Sequence, residues 1–407
     1  MKSPERFPVR VWLISFLGWT FDFYDLMLIS FLLIPIGRDL GLSTQEEAVL
    51  LGVALGASGI GGILFGYLSD RYGRKQVMVW TIGLYSLGTA LCAFSVGLWS
   101  LLTFRLLTGL GIGGEWAVGH TLVQEATPSR MRGRAAAFLQ AGEPLGVGLA
   151  AVMGLLITPL IGWRWVFLIS SASAVLAFVA RRHLPESGLW DRQKKAELSP
   201  MAALLWMRRH QFISPLLKGW LLGVFKLGTY WTCYVWLPRF LQDQFHQPVG
   251  RSAIWILTAQ SGQLMGMLLF GFMADRHGRR QAYTAYSLLT AAALYGLAFH
   301  WQWLLPRPAL FWAVLFAMGV GSGCTAGFGA LLAELFPTHV RNFAMGTSYN
   351  CARGVQFFAP MVVSAFVGLY GVRGGLSVPL ILALATGAWV WVLPETRRRN
   401  LADIRSE

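Results

Sequence analysis

The fold class predicted by the sequence is an all-α membrane protein with twelve transmembrane helices in two pseudo-symmetric six-helix bundles. Three observations predict it. Hydrophobic residues make up 55% of the 407 residues and charged residues only 13%, with a mean hydropathy of +0.53, whereas a soluble domain carries about 25% charge. Twelve apolar runs each approach or exceed the roughly 20 residues needed to cross a hydrocarbon core. A ten-residue charged pattern, G-x-x-x-D-R-x-G-R-[KR], occurs at Gly66 to Lys75 and again 205 residues on, at Gly271 to Arg280.

The runs fall near 11–36, 48–69, 76–96, 99–124, 134–160 and 163–181, then 213–241, 252–274, 281–301, 308–334, 343–369 and 373–393. The first, Val11 to Ile36, is longer than a signal-peptide core and lacks a small-residue cleavage site, so it is expected to remain as the first span. Residues 1–181 are expected to form an N-terminal bundle and 213–407 a C-terminal one. Residues 182–212, basic and punctuated by Pro185 and Pro200, form the linker. Glu125 to Arg132 after span four and Glu334 to Arg341 after span ten repeat a second pattern, E-x-x-P-x-x-x-R, at an offset of 209. Parallel halves of this kind place a substrate site between them near mid-membrane.

Lys and Arg set the orientation. The side holding both termini, the linker and the repeat loops carries 24, the other side 6, and four lie within spans. Positive charge marks the cytoplasmic face, so both termini are expected in the cytoplasm of a multi-pass protein of the cell (inner) membrane. The net charge of +15 is distributed over these short loops and not gathered into a phosphate-binding face, so no nucleic-acid partner is expected. Cys92, Cys233, Cys324 and Cys351 lie in apolar segments without metal-ligand spacing. No metal and no cofactor are expected, and no nucleophile–base constellation points to an enzyme.

In the repeated loop, Asp70 has Arg71 and Arg74 close by, and Asp275 has Arg276 and Arg279. Charge pairs and nearby helix ends make these six a candidate conformational latch. Deeper in the membrane the sequence places Asp22, Asp25, Glu115 and Glu143 in the first half, and Lys226 and Arg353 in the second. A charge at a helix centre costs about 2.5 to 3.5 kcal/mol on insertion scales, so six of them mark a cavity. Arg353 suits bidentate capture of a carboxylate, and Lys226 offers a second, point-like cation. Tyr230 and Tyr234, on the same helix face as Lys226, and Asn350 and Gln356, flanking Arg353, complete the candidate substrate site. The four carboxyls and His120 are the candidates for carrying a coupling proton. Glu143 shifted by 209 falls on position 352, beside Arg353, so the two are near-equivalents across the pseudo-twofold.

The repeated loop resembles the loop signature of the major facilitator superfamily, and Arg105-Leu-Leu-Thr-Gly-Leu-Gly-Ile-Gly-Gly-Glu115 resembles that superfamily's fourth-helix motif. Within it, the Asp22/Asp25 pair, Gly-Gly-Glu115-Trp116 and Tyr349-Asn350-Cys-Ala-Arg353 look like the sialate:proton symporter group, which includes lactate permeases, and less closely like the aromatic-acid:proton symporters. Span seven departs from fungal lactate carriers, with Phe225-Lys226 in place of a His-containing motif. The resemblance implies the major facilitator fold and proton-coupled uptake of a small organic anion by a monomer in the lipid bilayer. Gly142-Glu143-Pro144-Leu-Gly146 also resembles an antiporter motif, which keeps a proton-driven exporter of drugs or metabolites as the alternative.

Overall fold

The computed structural model describes residues 9–182, 186, 190, 199–245, 249–399, 401 and 404. Every predicted run has its helix. In the first half these are α1 (Val9–Leu40), α2 (Thr44–Tyr72), α3 (Arg74–Cys92), α4 (Leu98–Ala126), the broken pair α5 (Arg132–Gln140) and α6 (Gly142–Val152), and α7 (Trp163–Arg182). The linker contains α8 (Pro200–Arg209). In the second half α9 (Ile213–Phe245), α10 (Val249–His277) and α11 (Arg279–Phe299) precede another broken pair, α12 (Pro308–Ser322) and α13 (Phe328–Ala333). α14 (Arg341–Val355) and α15 (Ala359–Trp389) complete it. No strand occurs among the described residues.

Local chemistry sets the boundaries. Ser43 opens α2 with a capping box, its hydroxyl accepting from the Glu46 N–H while its own N–H donates to the Glu46 carboxylate at 2.8 Å. The second glycine of each repeated loop, Gly73 and Gly278, has φ of 106° and 111°, where a side chain would strain the backbone. Each therefore turns the chain sharply between α2 and α3, and between α10 and α11. Pro200 does not merely interrupt the linker. It occupies the first turn of α8, where its missing N–H costs nothing, and Ser199 caps that helix. α15 joins the end of the eleventh run to the twelfth across Gly371, which has φ 64° and ψ −159°.

Six of the described helical segments are individually long and apolar enough to span a membrane, seven with the bent pair Arg341–Phe358 and Met361–Gly371. Helices such as α4 fall short because Arg105, Glu115, His120 and Gln124 interrupt the apolar run, and all four are buried against neighbouring helices. Hydrocarbon demands an apolar surface only where a helix meets lipid.

The halves meet along two seams, α2 against α14 and α10 against α5. These exchange under the pseudo-twofold, since α10 repeats α2 and α14 repeats α5. One apolar cluster runs through both, from Met78, Trp116 and Leu122 to Phe328, Leu331 and Met345.

Candidate functional site

The centre of the molecule, where α4, α5, α6, α9, α10 and α14 converge, holds a cluster of buried polar groups. On α4, Trp116 and His120 lie four residues apart on one face. Pro144 cannot donate to the Gln140 carbonyl, and the helix breaks at Ala141, which brings Gln140 and Glu143 together at the junction of α5 and α6. Gln140 Nε2 donates to Glu143 Oε2 at 2.7 Å, and Gln140 Oε1 accepts from Trp116 Nε1 at 3.2 Å. His120 Nε2 lies 2.9 Å from the same oxygen. From the opposite half, Gln263 on α10 donates to Glu143 Oε1 at 3.1 Å. Glu143 lies within electrostatic range of Lys226 and of Arg353, its near-equivalent across the pseudo-twofold, with no direct ion pair to either among the described residues.

Arg353 is 1% exposed. Its Nη2 donates to the Tyr349 hydroxyl at 3.1 Å, and its guanidinium carbon lies 4.8 Å over the Tyr349 ring and 5.7 Å over Trp19. Its Nη1 has no hydrogen-bond acceptor among the described residues. Tyr349 in turn stacks on Trp116 of the other half, rings 3.7 Å apart and 8° from parallel, with Phe328 tilted against both. Lys226 is buried beside the Cys324 thiol. The Tyr230 hydroxyl is 3.5 Å from Gln260 Nε2.

The remaining predicted residues are distributed more widely. Glu115 is buried, accepts from the Thr81 hydroxyl at 3.0 Å, and lines a small cavity with Ser15, Trp19 and His120. Asp22 is fully buried on α1. Asp25 departs from the expectation of a cavity carboxyl, because Arg105 pairs with it at 3.1 Å and Thr89 donates to it, all within the first half. Asn350 also departs. It donates to the Gly113 carbonyl at 2.8 Å and braces α14 against the first half. Gln356 donates to the Ala352 and Val224 carbonyls at 2.9 and 3.3 Å and ties α14 to α9. Tyr234 lies outside the residues whose side chains are described. Sequence reasoning overlooked Tyr349, Trp116, Gln140, Gln260 and Gln263 as site groups. The available signals were Tyr349 one turn before Arg353, and two glutamines three apart in an otherwise apolar span.

On the motif face, two symmetry-related clamps join the halves. Asp70 accepts from the Phe343 and Asn342 N–H groups at 2.9 and 3.3 Å, capping the start of α14 across the interface. Arg74 pairs with Asp70 at 3.2 Å and with Glu125 at 3.4 Å and donates to the Thr338 carbonyl, while Glu125 also pairs with Arg341. In the second clamp Asp275 accepts from the Gly133 and Arg134 N–H groups at 2.8 and 3.0 Å, capping α5. Arg279 pairs with Asp275 at 2.8 Å and with Glu334 at 3.0 Å. Anionic acceptors at helix N-termini satisfy free N–H groups and suit the helix dipole. Arg71 and Arg276, expected in the latch, are exposed instead, Arg71 donating to the Tyr67 hydroxyl. A further matched pair went unread in the sequence. Glu186 caps α3 through the Arg74 N–H at 3.0 Å, and Glu395, 209 residues on, caps α11 through the Arg279 N–H at the same distance. Near the first clamp, burial pushes His339 down to about 4, so it stays neutral where it packs under Trp206 of α8.

The sequence profile of the Major Facilitator Superfamily matches residues 13–259 and 250–407. A "Putative metabolite transport protein" of Haemophilus influenzae is 33% identical over 95% of this chain and 96% of its own. The "Sialic acid transporter NanX" of Escherichia coli is 32% identical over 89% of this chain and 88% of its own. Among solved structures, the proton:xylose symporter XylE bound to 6-bromo-6-deoxy-D-glucose superposes with a TM-score of 0.82 at 19% identity, covering 98% of each chain.

Proposed function

The chain belongs to the major facilitator superfamily, a family of multi-pass membrane transporters and not of enzymes, and on that premise we propose that it imports a small organic carboxylate together with a proton by alternating access. The observation that carries this reading is Arg353, a buried guanidinium at the interface of the halves with one nitrogen lacking an acceptor among the described residues. A carboxylate is the ligand that such a fork matches in charge and shape. Lys226 adds a second cation, and the stacked Trp116 and Tyr349 flank the site with flat apolar faces. The similarity to a protein named for transporting sialic acid points the same way.

Coupling follows from Glu143. With the site empty, its carboxylate faces Lys226 and Arg353 and holds the halves together through Gln263. Protonation from the outer side weakens its hold on the two cations, which then accept the substrate's carboxylate. Release of anion and proton to the inside lets Glu143 pair again and the empty carrier return. The Asp70 and Asp275 clamps hold the motif face closed in the outward-open part of the cycle, with residues 1–181 and 213–407 moving as bundles about the 182–212 linker. The lysine and arginine bias assigns the motif face and both termini to the cytoplasm, in the cell (inner) membrane. The working unit is a monomer. The test is uptake of a panel of labelled carboxylates into proteoliposomes with and without an inward proton gradient. Absence of gradient-stimulated uptake for every member would refute it.

A further inference from the structure

The segment that follows α15 does more than cap α11 through Glu395. It is moored first to its own half: Arg280 Nε donates to the Leu393 carbonyl at 2.7 Å, and the Thr396 hydroxyl donates to Glu334 Oε2 at 2.6 Å. It then crosses to the other half, where the Arg399 carbonyl accepts from Arg132 Nη1, at the start of α5, at 2.6 Å. The Leu401 carbonyl accepts from Arg341 Nη2, at the start of α14, at 3.4 Å. Arg132 and Arg341 are the matched arginines of the repeated E-x-x-P-x-x-x-R pattern, one from each half. The side chains beyond are packed in, with Leu401 1% and Ile404 5% exposed. At the matching place after α7, 209 residues before Arg399, Trp190 donates to the Asp70 carbonyl of its own half at 2.8 Å.

Geometry ties these contacts to one state. Carbonyls two residues apart are separated by at most about 7 Å of extended chain, so this short stretch holds both arginines only while the starts of α5 and α14 stay close. When the halves part, the segment remains with the second half, to which Leu393, Glu395 and Thr396 moor it, and the bond to Arg132 breaks. The bond from Arg132 Nε to the Gln124 carbonyl, at 3.2 Å, lies within the first half and persists in both states. We propose that the segment carrying Arg399, Leu401 and Ile404 is a strap that holds the motif face closed, separate from the aspartate clamps. The balance between the two states is then set in part from outside the transport path. This rests on the halves parting at the motif face and not on which solute is carried.

The test is the labelling rate of Ala137→Cys by a maleimide in the purified protein, with Cys351 replaced; Ala137 is 1% exposed, at the seam of α5 against α10. A chain ending at Thr396 keeps the Glu395 cap and the Glu334 bond and loses the strap. Labelling should then rise about 10-fold, the worth of one bond to a charged group. Leu401→Asp, which sets a charge where Leu401 is buried, should raise it as well. Arg132→Met leaves the segment whole and removes its partner in the first half, so it decides the matter where the shortened chain fails to fold. It should raise labelling in the full chain and add little in the chain ending at Thr396, because both changes break the same bond. Effects that multiply in full when the two are combined would overturn the strap. Unchanged labelling in both, with a rise in the Asp70→Asn, Asp275→Asn double variant, would overturn the strap and leave alternating access standing. Unchanged labelling in all of them would overturn both.

Discussion

Asp70→Asn and Asp275→Asn should open the motif face. Each aspartate makes two kinds of contact, and only one kind distinguishes the closed state from the open one. The ion pairs Asp70–Arg74 and Asp275–Arg279 lie within single halves, four residues apart, and persist when the halves separate. The bonds to the N–H groups of Asn342 and Phe343, and of Gly133 and Arg134, cross the interface and exist only when it is closed, as does the Asp275 ion pair with the Arg134 side chain at 3.3 Å. Asparagine keeps the shape but offers one acceptor oxygen and no charge. One crossing bond is then lost and the other loses its charge assistance. With about 1.5 to 3 kcal/mol for a bond to a charged group, each substitution should cost the closed state about 2 to 3 kcal/mol, or roughly 30- to 150-fold in the equilibrium between the two states. A motif-face-open fraction of about 1% would rise to tens of per cent. The assay is the labelling rate of Ala137→Cys by an impermeant maleimide in inside-out vesicles, in a background lacking Cys351. Ala137 is 1% exposed and lies at the seam against α10, while Cys92, Cys233 and Cys324 are buried. Labelling should accelerate in each variant and further in the double variant. Arg71→Ala and Arg276→Ala, altering exposed side chains, should leave it unchanged. Unaltered labelling in the double aspartate variant would refute the clamp.

Four further outcomes are expected. Arg353→Lys keeps the charge and loses the fork, so carboxylate affinity should fall about 10-fold or more with little change in melting temperature; unchanged affinity in a binding assay would make Arg353 structural. Glu143→Gln should abolish uphill accumulation and preserve substrate counterflow, because exchange never requires the empty carrier to return; the parallel variants Glu115→Gln and Asp22→Asn show whether another carboxyl carries the proton. Arg105→Met strands the buried Asp25 carboxylate and should cost about 3 to 5 kcal/mol, read as loss of folded protein that Asp25→Leu restores. Glu186→Gln and Glu395→Gln should each lower thermal stability by about 1 kcal/mol, additively, since the two caps share no hydrogen-bond partner.

The parts of this molecule that the membrane dictates were legible in the sequence. Hydrocarbon thickness fixes span length, and duplication left Gly66 to Lys75 and Gly271 to Arg280 as two readings of one loop. Intramembrane charge is expensive enough to be rare, so Glu143, Lys226 and Arg353 stood out. What one dimension does not carry is the direction in which each side chain points. Asp25 and Glu143 look alike on a hydropathy trace, yet a rotation about α1 delivers Asp25 to Arg105, whereas the break at Ala141 delivers Glu143 to the other half. Likewise Arg71 and Arg74 are three apart, but only Arg74 faces inward. Glutamines escaped notice because they bear no charge and interrupt an apolar run only mildly. The Leu-Pro-Glu repeat at Glu186 and Glu395 was present at the same 209-residue offset and needed only the comparison of the two chain segments that follow spans six and twelve.

The clamps and the central site lie on the same helices, and this ties recognition to closure. Asp70 holds α14 at Phe343, ten residues before Arg353, and Asp275 holds α5 at Gly133, ten residues before Glu143, so about 15 Å of helix links each clamp to its central charge. Glu143 also bonds across the interface to Gln263, and Arg353 bonds to Tyr349, which stacks on Trp116 of the other half. On the proposed mechanism the charges at the centre then discriminate between states. With Lys226 and Arg353 cationic, an empty site with Glu143 ionised carries one net positive charge, and a site loaded with one monoanion and one proton carries the same. A site holding the proton alone keeps two buried cations with no counter-anion, the costliest arrangement to close upon. A site holding the anion alone sets two carboxylates against Lys226 and Arg353 and is neutral, one charge below the two states that reorient. The two states that must reorient on this mechanism are thus electrostatically matched, each carrying one net positive charge, which is the arrangement that cotransport of one proton with each monoanion requires.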